Sequence, residues 1–198
     1  DILPLKHPEW FPNKDTGFYN WFNAITSFAT GLICVSRSTV NDVSAWLKEH
    51  PLERIESLQI TYSHHGADID KSMPTKGLPS WATDFLNKAK SDYTFLMVGT
   101  IEPRKGHLQA IKSFEQLWWA GNSVNLIIVG HEGWKHVPTN QRRTIPEIVS
   151  LIKNHSELNY HIFWLDGITD EFLENIYAAS TCLIAASEGE GFGLPLIE

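Results

Sequence analysis

From Thr94 to Ala186 the chain alternates short, almost wholly apolar runs with single amphipathic segments, and no other feature restricts its fold as much. TFLMVG (94–99), NLIIVG (125–130), HIFWLDG (161–167) and TCLIAA (181–186) lack the polar alternation of a strand with one wet face, so they read as buried strands. Between them lie helical patterns. GHLQAIKSFEQLWWAG is an amphipathic helix ended by Gly121. The polar stretch HEGWKHVPTNQRRT leads to Pro146, a suitable first residue for the helix PEIVSLIKNH. TDEFLENIYAAS has Thr169 as N-cap, with Asp170 and Glu171 in its first turn. Strands separated by single helices predict an α/β fold, with a Rossmann-like parallel sheet covered by helices on both faces.

The first third repeats the theme more weakly. DILPLKHPEW opens on a strand-like apolar run, GLICV (31–35) and SLQITY (57–62) read as strands, and STVNDVSAWLKEH reads as a helix capped by Ser36 or Ser38. Residues 63–80, with Gly66, Pro74, Gly77, Pro79 and few apolar side chains, form the best linker. A net charge of −7 argues against a nucleic-acid partner. No apolar run approaches the roughly 20 residues that span a bilayer, and the N-terminus does not read as a signal peptide. Cys34 and Cys182 both sit in apolar runs and read as buried free thiols of a cytoplasmic protein. Trp81 and Trp134 stand singly in loops, where they could line a pocket; the histidines read as surface or satisfied polar residues.

Ligands of parallel sheets bind at the carboxyl ends of the strands, and two loops there suit anions. VGTIEPRKGH (98–107) joins a strand to a helix N-terminus, where free N–H groups carry about half a positive charge and Lys105 adds a full one. A diphosphate would be well placed; a solvated basic turn with Glu102 and Arg104 at the surface reads equally well. In SEGEGFGLPLIE (187–198), Gly189, Gly191 and Gly193 allow positive φ and close backbone approach, and a helix is expected to start after Pro195. Neither loop is a Walker or dinucleotide fingerprint. Glu190 and Glu198 bracket the second loop. They read as acceptors for sugar and ribose hydroxyls rather than as a hydrolytic acid–base pair. Asp68-Ile69-Asp70 has the form of a metal-holding D-x-D, but it lies in the linker and is read as chance.

E-G-F-G-L-P-L-I-E, preceded by E-P-R-K-G, resembles the donor-binding half of retaining glycosyltransferases of the two-Rossmann-domain (GT-B) type, the glycosyl transferases of group one. SHHGAD is similar to the turn that leads into the second domain. The resemblance implies three parts: residues 1–62 as the end of an acceptor-side domain, 63–90 as an interdomain linker, and 91–198 as the nucleotide-sugar domain. It implies a nucleoside-diphosphate sugar donor, a saccharide or lipid-linked saccharide acceptor, and transfer with retention. It implies no cofactor and no metal. Lys105 would neutralise the diphosphate together with Gly99, Thr100 and Arg104. Glu190 would contact the donor sugar, with the backbone of Gly191, Phe192, Gly193 and Leu194 close by. Glu198 would hold the ribose, and the turn from Gly167 and Ile168 to Asp170 would meet the nucleobase. Many members carry arginine where this chain has Thr100, so Arg104 compensates or Thr100 donates a hydrogen bond instead.

The variant G-T-I-E-P-R-K resembles bacterial mannosyltransferases that build O-antigen and other surface polysaccharides, which implies GDP-mannose. It also implies a cytoplasmic location at the inner face of the plasma membrane, with peripheral membrane contact through a preceding segment. Charge developing on a diphosphate leaving group would be stabilised by Lys105 and two helix N-termini, with no side-chain nucleophile needed. A sugar-nucleotide epimerase, a phosphorylase of the same architecture and a non-catalytic sugar-nucleotide-binding module are the alternatives. The 198 residues alone are expected to turn over poorly, since the family's remaining strands and closing helix fall outside them.

Overall fold

The computed structural model describes residues 1–12, 16–54, 56–66 and 73–197. The chain divides into two compact units. One comprises Asp1–Ala67 with Gly189–Ile197, and the other Asp68–Glu188 with Glu198.

In the first unit, α1 (Leu3–Lys6) and a 3-10 turn at Pro8–Trp10 replace the strand expected at the N-terminus. Each has a proline in its first turn, where the missing N–H costs nothing and the ring fixes a helical φ. α2 (Thr16–Phe28) follows. β1 (Gly31–Cys34) and β2 (Gln59–Tyr62) pair in parallel, joined through α3 (Arg37–Glu49). Ser36 is the N-cap of α3, its oxygen accepting from the Thr39 amide at 3.1 Å. Ile2, Phe22, Cys34 and Val43 form the buried core. Arg54 closes the end of α2, its guanidinium donating to the carbonyls of Thr26 and Ala29.

The second unit holds α4 (Ala82–Ser91), β3 (Tyr93–Val98), α5 (His107–Trp119), β4 (Val124–Val129), α6 (Ile145–Lys153), β5 (Ile162–Leu165), α7 (Asp170–Ala179) and β6 (Cys182–Leu183). Its sheet runs β5-β4-β3-β6, parallel throughout. Successive β4 residues point to opposite faces. Leu126 and Ile128 pack with α5 and α6, whereas Ile127 and Val129 join a cluster with Ala82 and Ala89 of α4 and Phe172 and Ile176 of α7. Both faces are therefore covered, as the near-continuous apolarity of the strands requires.

Three expectations need correction here. TCLIAA is not a buried strand: only Cys182–Leu183 pair, with β3. β6 is the edge of the sheet, so Cys182 is exposed while Cys34 is buried. Pro146 is the second helical residue of α6, because Ile145 starts it. Trp81, 46% exposed, and the half-buried Trp134 both make packing contacts. Trp81 meets Phe85 and Phe172 edge-on at 5.6 and 5.3 Å, and Trp134 lies against the α5–α6 core.

Candidate functional site: the carboxyl edge of the parallel sheet

The loops after β3 and β4 are zipped together. Gly99 N–H donates to Val129 O (2.9 Å), Ile101 N–H to His131 O (2.8 Å) and Gly133 N–H to Ile101 O (3.1 Å). This continues the sheet past its last regular pair and holds Gly99 and Thr100 against the next loop. A Cβ built on Gly99 would stand 3.5 Å from Lys105 Cε and Nζ, so the lysine lies back across the loop at the carboxyl end of β3. Pro103–Lys105 form a 3-10 turn, Gly106 adopts φ 72°, and α5 begins at His107. Its first N–H groups have no carbonyl of their own helix to bond.

Arg104 and Glu102 are not a solvated pair. Arg104 Nε lies 3.2 Å from Glu102 Oε2, and the two side chains are only 17% and 18% exposed. Behind them Arg142 bonds Glu132 in an equally buried pair, joining the start and end of the loop after β4. The turn also grips the chain beyond β6. Glu188 N–H donates to Arg104 O (2.8 Å), Gln109 donates to the Glu188 carboxylate (3.1 Å), and a Cβ on Gly106 would stand 2.4 Å from Ala186 O. Residues 186–188 are thereby held against the lysine turn.

His107 is a residue that the sequence reading missed. It is buried to 2% exposure, and its Nδ1 has no hydrogen-bond partner among the described residues. Burial, helped by the charge of Lys105, pushes its pKa down to about 4. The signal was present: His107, Ala110, Ile111 and Phe114 are all buried at helical spacing, which puts the imidazole on the core face of α5. A histidine kept neutral when folded is protonated first in the unfolded chain. Its contribution is therefore complete above pH 6.5 and lost as pH falls toward 4. The stability lost across that window is roughly 3 kcal/mol. Thermal melts at pH 7 and pH 5 should show a smaller difference for His107→Leu than for the parent protein.

The turn after β5 is more committed than its polarity suggests. Ile168 packs against the core between the sheet and α7. Thr169 accepts from Phe172 N–H as N-cap and donates to Gly77 O (2.6 Å). Thr75 donates to the Asp170 carboxylate through its amide (2.8 Å) and hydroxyl (2.7 Å), which holds that carboxyl below the usual range. Gly77 N–H donates to Glu171 (2.6 Å). The segment around Thr75 thus ties down the side chains at the start of α7 by hydrogen bonds, while Asp170 stays exposed and Ile168 half-buried. Asp166, just before Gly167, pairs with His131 and lies 3.3 Å from Lys135 Nζ.

The glycine loop belongs to the first unit. Of its glycines only Gly193 has positive φ, 84°; Gly189 is needed for a different reason, since a Cβ there would meet the Trp10 ring at 2.8 Å. Gly191 O accepts from Ser36 Oγ at 2.7 Å and Thr39 Oγ1 at 3.4 Å. The Phe192 ring lies 5.4 and 5.5 Å from those of His64 and His65. Glu190 and Leu194 are exposed. The helix expected after Pro195 is a single 3-10 turn, Leu194–Leu196. Glu198, the expected ribose ligand, lies outside the described residues, as does Asp68-Ile69-Asp70.

The model of the family described as Glycosyl transferases group 1 matches residues 82–198. This chain belongs to the glycosyl transferases group 1 family. Along its whole length this group 1 chain is 43% identical, over 201 aligned residues, to a serotype-specific mannosyltransferase WbdA of Escherichia coli, of which it covers 24%. It is 42% identical to a second WbdA of the same species, again covering 24% of it. An O-antigen chain mannosyltransferase B of Escherichia coli is 26% identical over 203 residues, with 48% of that protein covered. The group 1 chain thus spans about a quarter of the length of the WbdA proteins it matches. Among its described residues no helix is long and apolar enough to cross a membrane.

Proposed function

We propose that this chain carries the nucleotide-sugar site of a retaining mannosyltransferase that takes mannose from GDP-mannose to a saccharide or lipid-linked saccharide acceptor during O-antigen or related polysaccharide synthesis. The reading places the protein in the cytoplasm, at the inner face of the membrane where such acceptors are presented. The observation that carries it is Lys105 lying across Gly99 at the carboxyl end of β3, beside the start of α5. A cation, the first turn of a helix and closely approached backbone at one strand end suit a diphosphate. As the bond from the anomeric carbon to the diphosphate breaks, negative charge grows on the phosphate oxygens. Groups already fixed in place stabilise that charge without reorganising. In this reading Thr100 donates a hydrogen bond, because Arg104 is held by Glu102. The nucleobase meets the backbone of Gly167 and Ile168, the donor sugar meets Glu190 and the loop after it, and Glu198 takes the ribose. The names of the relatives support mannose as the sugar.

Thermal-shift measurements on the full-length natural protein with GDP, UDP, ADP and dTDP test the donor. GDP at a hundred times its Kd should stabilise the protein by about 2.7 kcal/mol, well above the others. A uridine preference would overturn the GDP-mannose assignment. Nucleotide binding without mannose transfer to a mannoside acceptor would point instead to a binding module.

A further inference from the structure

Ser36 makes two different hydrogen bonds with one hydroxyl. Its oxygen accepts from Thr39 N–H at 3.1 Å, which caps α3, and its proton is donated to Gly191 O at 2.7 Å, 155 residues away in sequence. The geometry is consistent, since a hydroxyl has one proton to give and two lone pairs to receive with. Thr39 Oγ1, on a residue only 5% exposed, approaches the same carbonyl at 3.4 Å, and lies 3.1 Å from Ser36 Oγ. The carbonyl of Gly191 is therefore held by a pair of hydroxyls standing on the first turn of a 13-residue helix.

The consequence follows from peptide geometry. Gly191 C=O and Phe192 N–H belong to one planar trans peptide and point in opposite directions. Fixing the carbonyl on Ser36 fixes the direction of the Phe192 amide, which then faces away from α3. The Phe192 side of this peptide is steadied as well, by the ring contacts with His64 and His65.

We propose that Ser36, assisted by Thr39, is a positioning residue for donor transfer: it holds the Gly191–Phe192 peptide so that the Phe192 N–H is presented to the donor sugar. This rests on the glycosyltransferase reading above, in which the backbone of residues 191–193 adjoins that sugar. Ser36 itself touches no substrate.

The two bonds can be separated by substitution. Asp is as good an N-cap as Ser, so Ser36→Asp keeps the bond from Thr39 N–H, but an ionised carboxylate has no proton to donate and repels the Gly191 carbonyl. Ser36→Thr keeps both roles. Ser36→Ala loses both and serves as the folding reference. The assay uses the full-length natural protein, GDP-mannose and a mannoside acceptor, with GDP affinity and melting temperature measured alongside. Ser36→Asp should melt within a few degrees of the parent, bind GDP equally well, and lose about 10- to 100-fold in kcat for mannose transfer, the range expected when a reacting centre is misplaced by about an ångström. Ser36→Thr should restore most of that loss. A loss of cap alone would spare Ser36→Asp and harm only Ser36→Ala, and that pattern would overturn the proposal. So would a Ser36→Asp protein that transfers at the parent rate. Failure of the parent itself to bind GDP or to use GDP-mannose would instead overturn the donor reading on which the proposal rests.

Discussion

Gly130→Ala should destabilise the protein by more than about 4 kcal/mol, the range reserved for changes that force backbone apart. Gly130 has φ 154°, and a Cβ there would stand 2.1 Å from Gly99 O and 2.6 Å from Gly99 C. Both obstacles are main chain, so no rotamer change relieves them. Nor can the strands separate cheaply. Gly130 N–H donates to Leu165 O at 3.0 Å, and Gly130 O accepts from Trp164 Nε1 at 2.8 Å. The comparison is Gly121→Ala, at φ 81° with open space around the added carbon. That change pays only for left-handed backbone, about 1–2 kcal/mol. Urea unfolding of the two variants separates clash from strain, and equal losses would show that the β3 and β4 loops are not packed as described. Since the displaced carbonyl belongs to Gly99, the proposed donor reading predicts that any folded Gly130→Ala protein also binds nucleoside diphosphates poorly.

On the proposed donor reading, Lys105→Ala in the full-length natural protein should lower kcat/KM for mannose transfer about 100- to 1,000-fold, the usual effect of removing one preorganised group that meets developing charge. Folding should survive. The lysine tip lies near Gly99 at the carboxyl end of β3, and the backbone bonds of Gly99, Ile101 and Gly133 anchor the loop. The variant has an internal check, because Lys105 is the second cause of the low His107 pKa. Without it that pKa should rise slightly, with burial still holding it well below 6.5. A transfer defect accompanied by an unchanged pH dependence of melting near pH 5 would mean that the lysine and the imidazole are not neighbours.

The parts of the fold visible in the chain were those governed by local rules. Apolar runs of strand length, helical periodicity, and the caps at Ser36, Thr169 and Gly121 all depend on residues within a few positions of one another. What escaped was set by distant partners. TCLIAA has the composition of a central strand but lies at the edge beside β3, and nothing in six residues records which side of the sheet they occupy. α4 follows a proline- and glycine-rich stretch that reads as linker, and its start is anchored by the edge-on contact of Trp81 with Phe172 of α7. The commitment of Asp170 to Thr75 spans 95 residues. At the site, the nearness of Lys105 to Gly99 was legible because both lie in the one short loop between β3 and α5. The burial of Glu102 and Arg104 was not, since a charged pair in a turn ordinarily reads as solvated. His107 was legible in principle, from its place in the α5 core stripe, but a polar residue type masked it.

Calorimetry of GDP and of guanosine binding to the full-length natural protein and its Lys105→Ala variant tests the central claim most directly. A diphosphate held by Lys105 at the carboxyl end of β3 predicts that the variant loses about 100-fold or more in GDP affinity, while guanosine, which has no phosphate, binds both proteins alike. An equal loss for GDP and guanosine, or no loss for either, would contradict it.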